Sequence, residues 1–166
     1  IMKFDNYMIL DFPSKSSNEA FARSAVACFA AQMDPTLEEL GDIRTAVSEA
    51  VTNCIVHAYA DSEDAGKITI TAKLSEDTAY IKIKDNGIGI PEKDLARIFE
   101  RFYRVDKARS REQGGTGLGL AISKEMINAF GGEIYLDSKQ NEGTEVCIVL
   151  PLDGKRIETD KDDMEM

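Results

Sequence analysis

Glu49, Asn53 and His57 stand four residues apart in a stretch that reads as helix, so a carboxylate, an amide and an imidazole share one face beside an apolar stripe. Such groups are costly to bury unless something uses them, and a solvated polar face is the plain alternative. Further along, Asp85-Asn86-Gly87-Ile88-Gly89-Ile90-Pro91 directly follows a β-rich run. Its glycines let backbone approach a ligand closely. An ionised aspartate only accepts hydrogen bonds, which suits the exocyclic amine of adenine and rejects the oxygen that guanine carries there. Asp-Asn-Gly is also an ordinary turn sequence. The third run, Gly114-Gly115-Thr116-Gly117-Leu118-Gly119-Leu120, opens a helix. Backbone N–H groups at the positive end of a helix dipole make a phosphate cradle. The spacing matches neither the Rossmann fingerprint nor the Walker A loop, so this is a different phosphate loop or else a flexible hinge.

Several elements must position these runs. Residues 7–12 read as an edge strand stopping at Pro13. A first helix follows, with Ser16, Ser17 and Asn18 as possible caps and Phe21, Ala22, Ala25, Val26, Phe29 and Ala30 at helical spacing. A second helix starts at Asp34-Pro35, or at Thr36 with Glu39 as a capping box, and runs to about Tyr59. Its apolar stripe is Leu40, Ile43, Val47, Val51 and Ile55, with Cys54 beside it. Two β-rich runs, 67–74 and 78–84, form a hairpin. A short amphipathic piece covers 92–102, and the charged stretch 104–113 reads as a mobile loop. A helix over 118–130 stops at Gly131-Gly132, and strands over 133–138 and 144–151 turn through Asn141 and Gly143. Helices alternating with hairpins predict an α+β fold, with helices on one face of a mixed, mostly antiparallel sheet. Residues 1–152 are expected to form one domain. Residues 153–166, with six acids and three bases, read as a solvated tail.

The 166 residues include 43% hydrophobic and 30% charged side chains, a composition that excludes disorder along the whole chain. Thirty acids against twenty bases leave a net charge of -10, which argues against nucleic acid and anionic lipid as partners. No apolar run is long enough to cross a bilayer, and the start lacks the basic-then-apolar pattern of a secretion signal, so a cytoplasmic location is expected. Cys28, Cys54 and Cys147, odd in number and among apolar neighbours, read as small buried hydrophobes in a reducing compartment. His57 is the only histidine, which disfavours most metal sites.

Glu49 with Asn53, Asp85-x-Gly87-x-Gly89 and Gly115-x-Gly117-x-Gly119, in that order, resemble the N, G1 and G2 boxes of the GHKL ATPases, over about residues 40–151. The resemblance implies the Bergerat two-layer α/β sandwich, with ATP and Mg²⁺ held between sheet, helices and a lid. It implies that Asn53 ligates Mg²⁺, that Asp85 reads adenine with Thr144 supporting it through water, and that Gly115, Gly117 and Gly119 hold phosphates. The nucleotide-binding set carried over is Asn53, His57, Asp85, Gly87, Gly89, Ile90, Phe99, Tyr103, Arg104, Gly115, Thr116, Gly117, Leu118, Gly119 and Thr144, with Glu49 as the catalytic group.

Two branches of that superfamily compete. Residues 6–72, including Asn18 to Arg23, Asp34-Pro35-Thr36 and Ser48 to Asn53, resemble the sporulation anti-sigma F factors. That family implies a dimeric serine kinase that sequesters a sigma factor and phosphorylates an anti-anti-sigma protein. Residues 79–151, with Phe99-Glu100-Arg101-Phe102-Tyr103-Arg104 and the lid, resemble sensor histidine kinase catalytic domains, as in a hybrid. His57 lies within the nucleotide-binding helix, so no phosphoacceptor histidine on a helix pair is evident, and the serine kinase is the reading preferred. In that class Glu49 orients the attacking hydroxyl or takes its proton. Arg101, Arg104, Lys107, Arg109 and Arg111 are candidates for phosphate contact. A histidine kinase fragment and an ATP-gated binding module without phosphotransfer are the alternatives. The apolar edge strand points to a homodimer, and the resemblance to the anti-sigma F factors implies that Arg23 is a partner-binding residue.

Overall fold

A computed structural model of the chain describes residues 6–59, 66–75, 77–106 and 115–151. Five strands, β1 (Asn6–Pro13), β2 (Lys67–Leu74), β3 (Thr78–Asp85), β4 (Glu133–Lys139) and β5 (Gly143–Pro151), form one sheet in the order β1-β2-β3-β5-β4. Every described pairing is antiparallel. Helices α1 (Glu19–Ala30), α2 (Leu37–Asn53) and α4 (Gly119–Ala129) pack with the sheet around a single core, and the short α3 spans Glu92–Leu95.

The strand periodicity explains why only one face is covered. In β2 every second residue, Ile68, Ile70, Ala72 and Leu74, is buried, while Lys67, Thr69, Thr71 and Lys73 face outward. Ile81 and Ile83 of β3 and Ile148 and Leu150 of β5 continue that apolar face. Against it lie Ala22 and Val26 of α1, Ile43, Val47 and Val51 of α2, and Ile127 of α4. Each fully buried Val or Ile contributes about 1.5–3 kcal/mol relative to exposure, so this layer is what fixes the helices over the sheet.

Local signals place the ends. Of the two possible starts for α2, the capping box forms: Glu39 N–H donates to Thr36 Oγ1 at 3.1 Å, and Thr36 N–H donates to Glu39 Oε2 at 2.8 Å. A cap of this kind is worth about 1 kcal/mol. The other end departs from expectation. The α-helix stops at Asn53, and Cys54–Ala58 wind as a π-turn before the chain leaves at Tyr59. Such a turn opens the backbone ladder and is frequent at functional sites.

Two expectations for α1 are corrected. Phe21 is exposed rather than in the core, and Cys28 is exposed where burial was expected, because the buried stripe of α1 runs through Ala22, Val26, Ala27, Phe29 and Ala30. Cys54 and Cys147 are buried as expected. The helical piece expected over 92–102 is an α-helix only through Leu95, then a series of turns. The remaining loop residues 107–114 and the tail 153–166 lie outside the described residues. At the sheet edge β1 directs Met8, Leu10 and Phe12 into the core and leaves Tyr7 and Ile9 exposed.

Candidate functional site

The site is built where the end of α2, the β3 terminus, the segment 99–104 and the start of α4 converge. On α2 the Asn53 side chain hydrogen-bonds the Glu49 carboxylate one turn earlier. Burial pushes the Glu49 carboxyl above the ordinary glutamic acid range, and the Asn53 bond offsets part of that rise. Gly119, the first residue of α4, lies directly over this carboxylate: a Cβ there would stand 1.9 Å from Glu49 Oε1. A side chain at this position would therefore occupy the space the carboxylate needs.

Glu49 and Asn53 are joined, and His57, in the π-turn, is exposed. Partial enclosure of its ring, and next the nearby Arg104 guanidinium, hold the imidazole below the usual histidine value. Arg104 also reaches the glycine loop, since a Cβ at Gly115 would lie 2.9 Å from its Nη2. The structure thus brings His57, Arg104 and Gly115 together.

Asp85 ends β3 and is 3% exposed. Its Oδ1 accepts from Gly87 N–H at 2.8 Å and from Thr144 N–H at 3.2 Å, and the Cys54 thiol hydrogen-bonds the same carboxylate. Burial first, and then Asp85, push the Cys54 thiol well above its ordinary value, which keeps it a neutral donor. A carboxylate offers about four lone-pair sites, so acceptor capacity remains for a ligand amine. Gly87 sits against the π-turn, where a Cβ would stand 2.3 Å from Ala58 O, and the same carbonyl accepts Ile88 N–H at 2.9 Å.

Ile90 and Thr144 are joined by Ser138 on β4, which the sequence reading did not single out. Ser138 Oγ accepts Ile90 N–H at 2.8 Å, donates to Gly143 O at 3.0 Å and lies 2.8 Å from Thr144 Oγ1. With its own proton on Gly143 O, Ser138 takes the Thr144 proton. Gly89 closes the same corner against Lys139 O.

The segment 99–104 contacts both α3 and α4. Lys124 of α4 lies over the Phe99 ring at 4.8 Å. The Tyr103 hydroxyl donates to the buried Asp94, and the Arg97 guanidinium covers its ring at 4.3 Å. That bond to Asp94 raises the Tyr103 phenol above its ordinary value. Phe102 N–H donates to Gly117 O at 2.8 Å, which ties this segment to the glycine loop. Arg101, one of the candidates for phosphate contact, pairs with Glu125 of α4, its Nη2 lying 2.6 Å and 2.8 Å from the two carboxylate oxygens. Lys107, Arg109, Arg111 and Gly114 are outside the described residues. Thr116 is exposed, and Leu118 caps α4.

The family model of "Histidine kinase-, DNA gyrase B-, and HSP90-like ATPase" matches residues 39–154. The anti-sigma F factor of Clostridium beijerinckii is 44% identical over 146 residues, 87% of this chain and 93% of its own. That of Caldanaerobacter subterraneus is 43% identical over 145 residues, 86% of this chain and 92% of its own. The sensor histidine kinase WalK of Bacillus subtilis is 48% identical over 107 residues, but the match spans only 18% of that kinase's length. In three dimensions the mycobacterial sensor histidine kinase MprB shares the fold, with a TM-score of 0.57 at 24% identity over 87% of this chain and 97% of that one.

Proposed function

Since the chain belongs to the ATPase family shared by histidine kinases, DNA gyrase B and HSP90, we propose that it is an ATP-dependent protein-serine kinase that also acts as a cytoplasmic anti-sigma factor in sporulation. The observation that supports this reading best is coverage. Its similarity to the anti-sigma F factors runs over nearly their whole length, whereas WalK is matched over less than a fifth of its length.

ATP would lie with its adenine at Asp85 and its phosphates along Gly115, Gly117 and the start of α4. The residues fit such a ligand. Asp85 has spare acceptor capacity, and Arg104 adds a positive group beside the loop. Among the described residues no cluster of three or more His, Cys, Asp or Glu is placed to hold a metal. Magnesium would therefore be held by Asn53 and otherwise by phosphate and water oxygens, as this ion prefers. When bound it supplies charge neutralisation at the phosphates.

The chain's own chemistry centres on Glu49. A serine hydroxyl of the partner attacks the γ-phosphorus, the β–γ bridging oxygen leaves with ADP, and the Glu49 carboxylate takes the hydroxyl proton. Burial raises the carboxyl above the ordinary glutamic acid range and so makes Glu49 a stronger base than an unperturbed carboxylate. Asn53 keeps the carboxylate oriented. Thr144 and Ser138 hold the far side of the adenine pocket, where a water would bridge Thr144 to the base.

The partners proposed are a sigma factor, bound through the α1 surface that carries Arg23, and an anti-anti-sigma protein as phosphate acceptor, with the chain acting as a homodimer. A second reading, favoured by the 48% identity to WalK over 107 residues, is a catalytic domain that phosphorylates a histidine on a separate helix pair. Incubation with ATP and each acceptor separates them. A serine-linked product is expected, and a histidine-linked product or no transfer overturns the first reading.

A further inference from the structure

The π-turn that ends α2 does more than interrupt a helix, because it and the residue after it contact Asp85, Asn86 and Ile88 at the end of β3 and in the loop that follows. The Cys54 thiol bonds Asp85, the Ala58 carbonyl takes Ile88 N–H at 2.9 Å, and Tyr59, the residue after the turn, engages Asn86. The Tyr59 hydroxyl accepts Asn86 N–H at 3.0 Å and lies 2.7 Å from both Asn86 Oδ1 and Lys67 O. Asn86 Oδ1 in turn accepts Lys67 N–H at 3.0 Å. That N–H identifies the side-chain atom as the oxygen, so the single hydroxyl proton is shared between two acceptors.

The bracket sits at a specific place in the ladder. Ile68 of β2 pairs with Asp85 of β3, so Lys67 and Asn86 are the next positions beyond the last pair. Tyr59 and the Asn86 side chain extend the register by one residue, using side-chain groups where main-chain bonds have ended. The ring reaches this position across Gly66, where a Cβ would lie 1.7 Å from Tyr59 Cε1. Burial raises the phenol above its ordinary value, so the hydroxyl keeps its proton.

We infer that Tyr59 is a positioning residue for nucleotide-base recognition: its hydroxyl fixes Asn86 and thereby holds the Asp85 carboxylate in register for the exocyclic amine. The inference rests on the reading that Asp85 meets adenine. Hydrogen bonds weaken steeply with angle, so a small rotation of the turn costs the amine contact and leaves phosphate binding intact.

The test compares wild type with Tyr59→Phe, by calorimetry, against ATP and purine riboside triphosphate, which lacks the 6-amino group. Removing the hydroxyl should weaken ATP binding by about threefold to tenfold, the range of one net hydrogen bond, while binding of the deaminated nucleotide changes by less than about twofold. A purely structural role would weaken both equally, and that result, or unchanged ATP affinity, overturns the inference. Asn86→Ala cuts the bracket from the other side and should narrow the same ratio. It decides the matter if melting shows that Tyr59→Phe does not fold. A wild-type protein that binds the two nucleotides equally overturns the Asp85 reading itself, which sets that failure apart from the failure of Tyr59.

Discussion

Gly119 and Glu49 share one space: the α4 residue leaves open the volume in which the α2 carboxylate sits, and a Cβ at Gly119 would meet Oε1 at 1.9 Å. The obstruction is the end of a flexible side chain, so the chain can fold around it, but only with the carboxylate displaced. Alanine is also the better helix former, by about 1 kcal/mol. Gly119→Ala should therefore leave the melting temperature unchanged or higher and lower phosphotransfer by at least about tenfold, since a misplaced reacting group costs rate steeply. Thermal melting and single-turnover kinetics on the same preparation check both halves. Equal turnover would remove Glu49 from the reaction.

Glu49→Gln tests the same group through pH. Burial raises the carboxyl in the folded state above its unfolded value, so the folded protein holds that proton more tightly. The stability associated with it is fully present below the unfolded value and is lost as pH rises through the folded one. The amide cannot ionise, so Glu49→Gln should melt higher than wild type at pH 7, with the difference shrinking as pH falls below the ordinary glutamic acid range. ATP binding should be nearly intact and turnover abolished. A variant less stable than wild type at pH 7 would contradict the burial argument.

Asp85→Asn removes an acceptor-only group and puts a donor amide in its place. ATP binding should weaken more than tenfold, the order expected for a lost charge-assisted bond of about 1.5–3 kcal/mol. Calorimetry with ATP and GTP is the check. Undiminished ATP binding, or GTP binding by wild type, would dismiss the adenine assignment. Asn53→Ala, by contrast, should abolish the magnesium dependence of nucleotide binding.

Much of this arrangement was legible before the fold. Thr36 with Glu39 was one of two starts read for α2 and is the one that forms, the period-two runs announced the hairpins, Glu49 and Asn53 stood out as polar groups beside an apolar stripe, and Asp85 stood out at the head of a glycine-rich segment after a strand. Tertiary contacts account for what was missed. Nothing in Cys54–Ala58 signals a π-turn, because the Ala58 carbonyl accepts from Ile88 in a loop about thirty residues later. Tyr59 and Ser138 act through bonds that exist only once three elements meet. The Arg101–Glu125 pair was not legible either, because Glu125 lies on a helix that a linear reading does not bring beside Arg101.

The N-terminal elements carry the prediction about assembly. Tyr7 and Ile9 leave apolar surface on the edge strand β1, 67% and 58% exposed, a surface that pairing across a two-fold axis would cover. Arg23 on α1 lies 3.3 Å from Glu19, which also accepts the Ser48 hydroxyl at 2.5 Å, so the proposed partner surface is wired to the residue preceding Glu49. Ile9→Lys should yield a monomer in light scattering at tens of micromolar, where wild type is expected to be a dimer. Arg23→Glu should bind ATP as wild type does and lose the sigma factor or the anti-anti-sigma protein. A monomeric wild type, or normal partner binding by Arg23→Glu, would remove the N-terminal surface from the proposal.

The most direct measurement is the chemical linkage of the transferred phosphate. The full chain, ATP labelled at the γ-phosphate and magnesium are incubated with an anti-anti-sigma protein in one arm and a histidine-bearing helix pair in the other, and the products are treated with acid. Phosphoserine survives acid and phosphohistidine does not. Acid-stable label on the anti-anti-sigma protein, absent with Glu49→Gln, is the result expected of a serine kinase. Label that appears only on the helix pair and is lost in acid, or no label in either arm, would contradict it.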